Sequence, residues 1–315
     1  MTTQAKKSVL ALVWDKFGSF SFVLPAVIIF SIFYIYPFID IFHLSVHRWD
    51  GLAEAPREWV GMQHFIDVFT GQEERWWKSV VNAGYITFFA LTLQNFLAFA
   101  LALACDREMK MKNIYRVIFF IPPVLSQVVV GLVWKMIYHP GGVNNAGEIS
   151  GNLTGILNVF LAKIGLAGAV STWLADPDMA LTCIAVVHSW QGFGWGFIML
   201  LAGLQTIDRQ LYEAARVDGA GPWTTFKNVT IPMMMPVILV VMILTILGSM
   251  QAFVIVLSMV GQYPGGETAV PVLEILGEMN NSYWGMAAAM GIIFAVILIL
   301  TSALFKFLSS LVKQA

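Results

Sequence analysis

The sequence predicts an all-α, polytopic membrane protein, and three observations carry that prediction. Charged residues make up 12% of the 315-residue chain against 58% hydrophobic. A soluble domain carries about 25% charged residues, so this chain has too few to cover a water-facing surface. The charges are also unevenly spread. Six windows are almost free of them, at 20–42, 80–104, 114–138, 180–204, 231–260 and 284–308. Each exceeds the roughly 20 residues that a helix needs to cross a bilayer. Finally, Lys and Arg fall mainly in alternate connecting segments, as the positive-inside rule requires.

The first window follows Lys6, Lys7 and Lys16, and no small-residue cleavage site closes it. It reads as a retained span rather than a signal peptide. The fifth window is long and opens with Pro232 and Pro236. Prolines near a helix start are tolerated, because the first amides have no internal partner. With the N-terminus in the cytoplasm, the inner segments hold twelve of the 18 Lys and Arg. These include Arg107, Lys110, Lys112, Arg116, Arg209, Arg216, Lys227, Lys306 and Lys313. The outer segments hold Arg48, Arg57, Arg75, Lys78, Lys135 and Lys163. Both termini are therefore expected in the cytoplasm.

Two outer loops stand out. Residues 44–79 are mixed in charge and carry Trp49, Trp59, Trp76 and Trp77. Residues 139–179 contain the turn-rich run HPGGVNNAGEISGNLTG, then LNVFLAKIGL, which suits a short interfacial helix. Neither loop is large enough for an independent domain. A single transmembrane domain over residues 1–315 is expected.

Several function classes are disfavoured. The net charge is −1 with no basic stripe, which argues against nucleic acid as a partner. Cys105 and Cys183 lie in or beside apolar windows without ligand spacing and read as small apolar residues. His43, His47, His64, His139 and His188 are scattered, so a membrane-embedded enzyme lacks its constellation. Asp40 is the carboxylate found inside a window, near its outer end. Ion-coupled carriers place ionisable groups near mid-membrane, so a self-contained secondary carrier is disfavoured. Glu274 and Glu278 fit a solvated or partner-facing role better than metal chelation, since no further ligands cluster there. No GxxxxGK[ST] occurs, so any ATP must be handled by another chain.

The inner segment between windows four and five reads IDRQLYEAARVDGAGPWTTFKNVTIP, residues 207–232. Asp208 is a plausible N-cap for a short amphipathic helix carrying Leu211, Tyr212, Glu213, Ala214, Ala215 and Arg216. Gly219 can take the left-handed conformation that ends a helix. Pro222 is expected to open a second short helix with Trp223, Phe226 and Val229 on one face. Physically this is either an ordinary interfacial loop or a knuckle shaped for a partner's groove.

The residues of that loop resemble a family signature. Glu213-Ala214-Ala215, then Asp218-Gly219-Ala220, then Phe226, Ile231 and Pro232 are similar to the EAA motif of ABC-importer membrane subunits. The resemblance extends to FVLPAVIIFSIFYIYPFIDIFHLSV, WVGMQHFIDVF, VIFFIPPVLSQVVVGLVW and HSWQGFGWGFIMLLAGLQTID, which look like the sugar branch, MalF type, in its six-span form. The chain departs where Val254 follows Phe253 instead of Asp, and in the GQYPGGETAV stretch. The resemblance implies a permease that imports a carbohydrate, or a sugar-like solute such as glycerol phosphate or a polyol. It implies a second, MalG-like permease subunit, an ATPase dimer that holds ATP and Mg, and an extracytoplasmic solute-binding protein. This chain itself would bind no cofactor and catalyse nothing. It would sit in a bacterial inner membrane, with Glu213 meeting a basic residue of the ATPase.

A sugar path needs hydroxyl-matching amides and stacking aromatics, so polar residues inside the windows were the places to consider. These are Gln94, Asn95, Ser126, Gln127, Trp134, Ser189, Trp190, Gln191, Ser249, Gln251 and Phe253. Each is also a candidate for gluing helices together. The resemblance places cargo among windows three, four and five, which raises Gln127, Trp190, Gln191, Gln251 and Phe253. Gly192, Gly194 and Gly196 fit close helix contact or a distortion beside a cavity.

Overall fold

The computed structural model describes residues 22–52, 54–70, 74–106, 111–142, 155–261 and 267–314. Lys6, Lys7, Lys16, Arg107, Lys110, residues 143–154 of the second outer loop and residues 262–266 of GQYPGGETAV lie outside the described residues. The described chain is helical nearly throughout. Among the described residues only the two-residue strands β1 (His47–Arg48) and β2 (Glu58–Trp59) pair, antiparallel, in the loop after the first helix.

The first span is α1 (Phe22–Ser45), with a π-helical turn at Ser31–Ile35. None of its most apolar window is buried, and Leu44 and Ser45 at its end are. Helix α2 (Gln63–Phe69) follows in the next loop and sets Val68 into a core cluster. The second span is α3 (Glu74–Asp106), interrupted by a π turn at Ala90–Gln94.

The third window is not one straight helix. It is α4 (Lys112–Val124) and α5 (Gln127–Ile137), bent by 93° at Leu125 and Ser126. Pro122 and Pro123 sit in the last turn of α4 and remove two amide donors. The chain then runs extended through Leu125 and Ser126 before α5 begins. Helix α6 (Ile156–Lys163) lies in the loop after α5.

The fourth span is α7 (Pro177–Gln205), N-capped by the Asp176 side chain, which accepts from the Asp178 amide at 3.0 Å. It is the centre of the bundle: 61% of its best apolar window is buried. Ala98, Ala102 and Cys105 of α3 meet Phe193, Phe197 and Leu200 of α7 in one core cluster. Small residues on α3 let the two backbones approach, the usual device where lipid supplies no hydrophobic drive. A short exposed helix, α8 (Arg209–Val217), follows α7.

The fifth span begins earlier than the prolines suggested. Helix α9 runs from Pro222 to Met250 without a break, so the expected separate second short helix is the first turn of the span. A π turn at Phe226–Thr230 leads into Ile231, and Pro232 follows it. Proline lacks the amide for the usual bond four residues back, and the wider turn absorbs that loss.

Nor does the fifth span reach residue 260 as one helix. It ends at Met250, and α10 (Val254–Val260) restarts after Gln251, Ala252 and Phe253. The Thr245 and Ser249 hydroxyls donate to the carbonyls of Val241 (2.8 Å) and Thr245 (2.6 Å), the back-bonding that bends helices. Helix α10 packs on α5 through Gly131, where a Cβ would strike Ser258. Helix α11 (Pro271–Asn280) and the last span, α12 (Trp284–Gln314), complete the described chain.

Candidate functional site: an exposed capped helix and a polar cavity

Helix α8 is capped at both ends, and most of its surface is exposed. Asp208 Oδ1 accepts from the Gln210 amide at 2.9 Å. At the other end the Ala220 amide donates to Ala215 O at 2.9 Å and the Gly219 amide to Arg216 O at 3.2 Å. With Gly219 at φ +76°, this is a Schellman cap, and glycine carries the left-handed residue without penalty. No residue of α8 is buried. Glu213 and Ala214 are exposed, and Ala215 is half-buried. Asp218, the C-cap, is exposed, and Val217 leaves 88% of its surface uncovered.

Two contacts tie α8 to the bundle. Tyr212 packs against the cluster that contains Leu204 and Ile207, and its hydroxyl lies 3.2 Å from Thr230 Oγ1. Thr230 ends the π turn of α9. Phe226, in the same turn, is half-buried between Trp223 (centroids 5.6 Å) and Phe99 (6.1 Å). Pro232 lies exposed two residues after the turn. A push on α8 therefore reaches both α7 and α9.

A cavity of about 200 Å³ opens in the bundle between α3, the α4–α5 bend, α7 and the end of α9. From α7 come His188, Gln191, Gly192 and Trp195, spaced i, i+3, i+4, i+7, which puts them on one helical face. Pro123 and Gln127 come from either side of the bend, and Gln94 from the π turn of α3. Leu244, Thr245, Gly248 and Ser249 close the wall from α9. The cavity thus sits where three spans depart from regular helix, the arrangement that membrane proteins tolerate beside a polar site. No Lys, Arg, Asp or Glu is among its described lining residues.

Of the path residues named from sequence, the structure gathers Gln127 and Gln191 in this cavity and leaves three elsewhere. Gln191 is 5% exposed, and its Nε2 donates to Leu125 O at 3.1 Å. That carbonyl belongs to the interrupted end of α4, so Gln191 also pins the bend. Trp190 points the other way and packs edge-on to Trp134, centroids 5.5 Å apart. Gln251 is exposed at the end of α9, and Phe253 packs into the core around α7 and α10. Neither lines the cavity. His188 and Trp195 were missed. Their signal was the i, i+3, i+4, i+7 spacing with Gln191 and Gly192.

Comparison with known proteins fixes the family. Residues 94–314 match the model of the binding-protein-dependent transport system inner membrane component. The trehalose/maltose transport system permease protein MalF of Thermococcus litoralis is 27% identical over 277 residues, covering 88% of each chain. The lactose transport system permease protein LacF of Rhizobium radiobacter is 30% identical over 235 residues, 74% of this chain and 72% of the relative. A bacterial ABC transporter that imports the acidic polysaccharide alginate has the same fold. One chain of its crystal structure superposes with a TM-score of 0.79 at 22% identity, over 96% of this chain and 99% of that one. The chain belongs to the binding-protein-dependent transport system inner membrane components and is a multi-span permease subunit of an importer.

Proposed function

We propose that the chain forms half of the path by which an ATP-driven importer takes up a carbohydrate, and that α8 is the element through which ATP hydrolysis reaches that path. A second, MalG-like permease supplies the other half, an ATPase dimer binds ATP and Mg, and an extracytoplasmic binding protein delivers the sugar. The termini and α8 face the cytoplasm. One observation carries the reading. A nine-residue helix, capped at both ends and buried nowhere, stands free while its Tyr212 grips the two helices that wall the cavity. A helix so rigid and so exposed suits a partner's cleft. The small side chains of Ala214 and Ala215 permit close approach, and Glu213 sets a charge beside them for a basic residue of the ATPase. The printed names of several relatives point to saccharide cargo: trehalose/maltose, lactose and arabinooligosaccharides.

The experiment is co-purification of the ATPase with the permease pair. Wild type retains it. Glu213→Lys reverses the charge at the contact, and breaking one side of a partly desolvated pair is costly. Gly219→Val forbids the left-handed turn although no atom lies within 4 Å of the added Cβ, so it acts on the cap alone. Both variants are expected to insert normally and to lose most of the bound ATPase. Full retention in both would remove α8 from the ATPase contact.

A further inference from the structure

The short helix α2 sorts its side chains into three arcs. Successive residues of a helix are turned by about 100°. His64, Phe65 and Val68 fall on one arc and enter the bundle: His64 and Val68 are buried, and Phe65 packs on the cluster of Val68, Trp76 and Met290. Gln63 and Asp67 fall on the next arc, where Gln63 Nε2 donates to Asp67 Oδ1 at 2.7 Å. Ile66 and Phe69, with the N-cap residue Met62, fall on the third. Met62, Ile66 and Phe69 leave 58, 49 and 63% of their surfaces uncovered. A helix between a protein core and water needs only a buried arc and a polar one. The third arc is apolar and uncharged, and no described residue buries it.

This arc continues beyond α2 in both directions. Phe69 meets Trp77 (ring centroids 5.5 Å), whose Nε1 donates to Val68 O at 2.9 Å. Trp77 lies in the first turn of α3, and the exposed Val81 and Phe88 share its helical face. At the other end, Trp59 is 71% exposed and stands edge-on to His47, centroids 5.1 Å apart, just past the end of α1. The amides of Val60 and Gly61 both donate to Val46 O, at 3.0 and 3.1 Å. Helix α2 therefore bridges the ends of two spans and prolongs the apolar face of one. A tryptophan flanks it on each side, and tryptophan collects where a bilayer meets water.

We propose that α2 is an interfacial helix whose partner is the lipid surface. Met62, Ile66 and Phe69 enter the boundary between headgroups and acyl chains, while Gln63 and Asp67 face water. The proposal needs only that the chain spans a bilayer; it stands apart from the ATPase contact and from the cargo. Continuity favours lipid over a protein as the occupant, because Phe69 hands the arc directly to the face of α3 that carries Trp77, Val81 and Phe88. Anchored in this way, α2 holds the loop between α1 and α3 in the plane of the membrane. That loop in turn steadies the end of α1, a span whose most apolar window has no buried residue.

The test puts a nitroxide spin label on Ile66→Cys, Phe69→Cys and Gln63→Cys, one at a time. Each is read in the assembled permease pair with its ATPase, in nanodiscs of phosphatidylcholine and phosphatidylglycerol. Cys105 and Cys183 are buried, out of reach of the labelling reagent. Collisions of the label with oxygen, which concentrates among acyl chains, are compared with collisions with a water-soluble nickel chelate. Labels at positions 66 and 69 are expected to favour oxygen, and the label at position 63 to favour the chelate. A preference for the chelate at 66 and 69 puts the arc in water and overturns the proposal. Exclusion of both reagents there also overturns it, because a protein surface then covers the arc. So does a chelate signal at 66 and 69 that vanishes only when the external binding protein is added, which makes the arc that protein's docking site. Positions 66 and 69 are read separately, so either decides the matter if the other variant fails to assemble.

Discussion

His64 shows how one buried side chain makes its end of the bundle sensitive to pH. It is 8% exposed, and its Nε2 lies 3.2 Å from His47 O. Gly285 fits against both, since a Cβ there would meet His64 Nε2 at 2.7 Å. Burial is the largest influence on the ring and lowers its pKa below the ordinary 6.5; the bond to His47 and the Asp67 charge oppose this more weakly. The unfolded chain therefore binds the proton more readily than the folded one. Stability is full above the ordinary histidine value and declines as pH falls through it toward the lower folded value. We predict a melting temperature that drops between pH 7.5 and 5, with a smaller drop in His64→Gln. An identical pH profile in the variant would place the titration elsewhere. At this scale the sequence was partly legible. Gln127 and Gln191, conspicuous as polar residues inside apolar windows, line the cavity. Trp190, Gln251 and Phe253 do not line it: Trp190 packs on Trp134, and Gln251 and Phe253 lie in the break between α9 and α10.

At the scale of elements, the spans were legible and their interruptions were not. Charge-free windows located α1, α3, α7, α9 and α12, because lipid exposure forces an apolar surface whatever the packing. The 93° bend at Leu125 and the break at Gln251 to Phe253 follow from Pro122, Pro123 and back-bonding hydroxyls. Those residues also occur in helices that merely kink, so only packing distinguishes the cases. The early start of α9 was hidden by Pro232, which reads as a helix opening until the π turn before it is seen. The bend of α4 is sealed against α7 at Gly194, whose Cβ would come within 2.7 Å of Pro123 Cγ and closer to the Phe119 carbonyl oxygen. That carbonyl faces Pro123, which has no amide to give it. Gly194→Ala is therefore expected to destabilise the bundle by about 1–3 kcal/mol through overpacking. Gly291→Ala on α12, where nothing lies within 4 Å of the added Cβ, serves as the control and is expected to be neutral or mildly stabilising. Thermal unfolding in detergent separates the two; equal melting temperatures would contradict the close α4–α7 contact.

For the whole molecule, the loop that carries α8 and the cavity belong to one mechanical path. Helix α8 is joined through Tyr212 to the end of α7 and to the π turn of α9. The same two helices carry His188, Gln191, Gly192, Thr245 and Ser249 at the cavity. Movement of a partner that holds α8 would thus shift two cavity walls together, and the interrupted spans are the places where such a shift can be absorbed. The helix in the loop was legible because its chemistry is local: an N-cap at Asp208 and a glycine, Gly219, that stops it. Its link to the cavity was not, because it depends on Tyr212 meeting Thr230 across 18 residues of sequence. The central claim is that α8 lies in the ATPase. A photo-crosslinking amino acid placed at Ala214, which is exposed, tests it in the assembled complex, with the same probe at the outward-facing Val81 as control. The account predicts a crosslinked product of this chain plus one ATPase chain from position 214 and none from position 81. No ATPase adduct at position 214 in a complex that still hydrolyses ATP in response to cargo would contradict it.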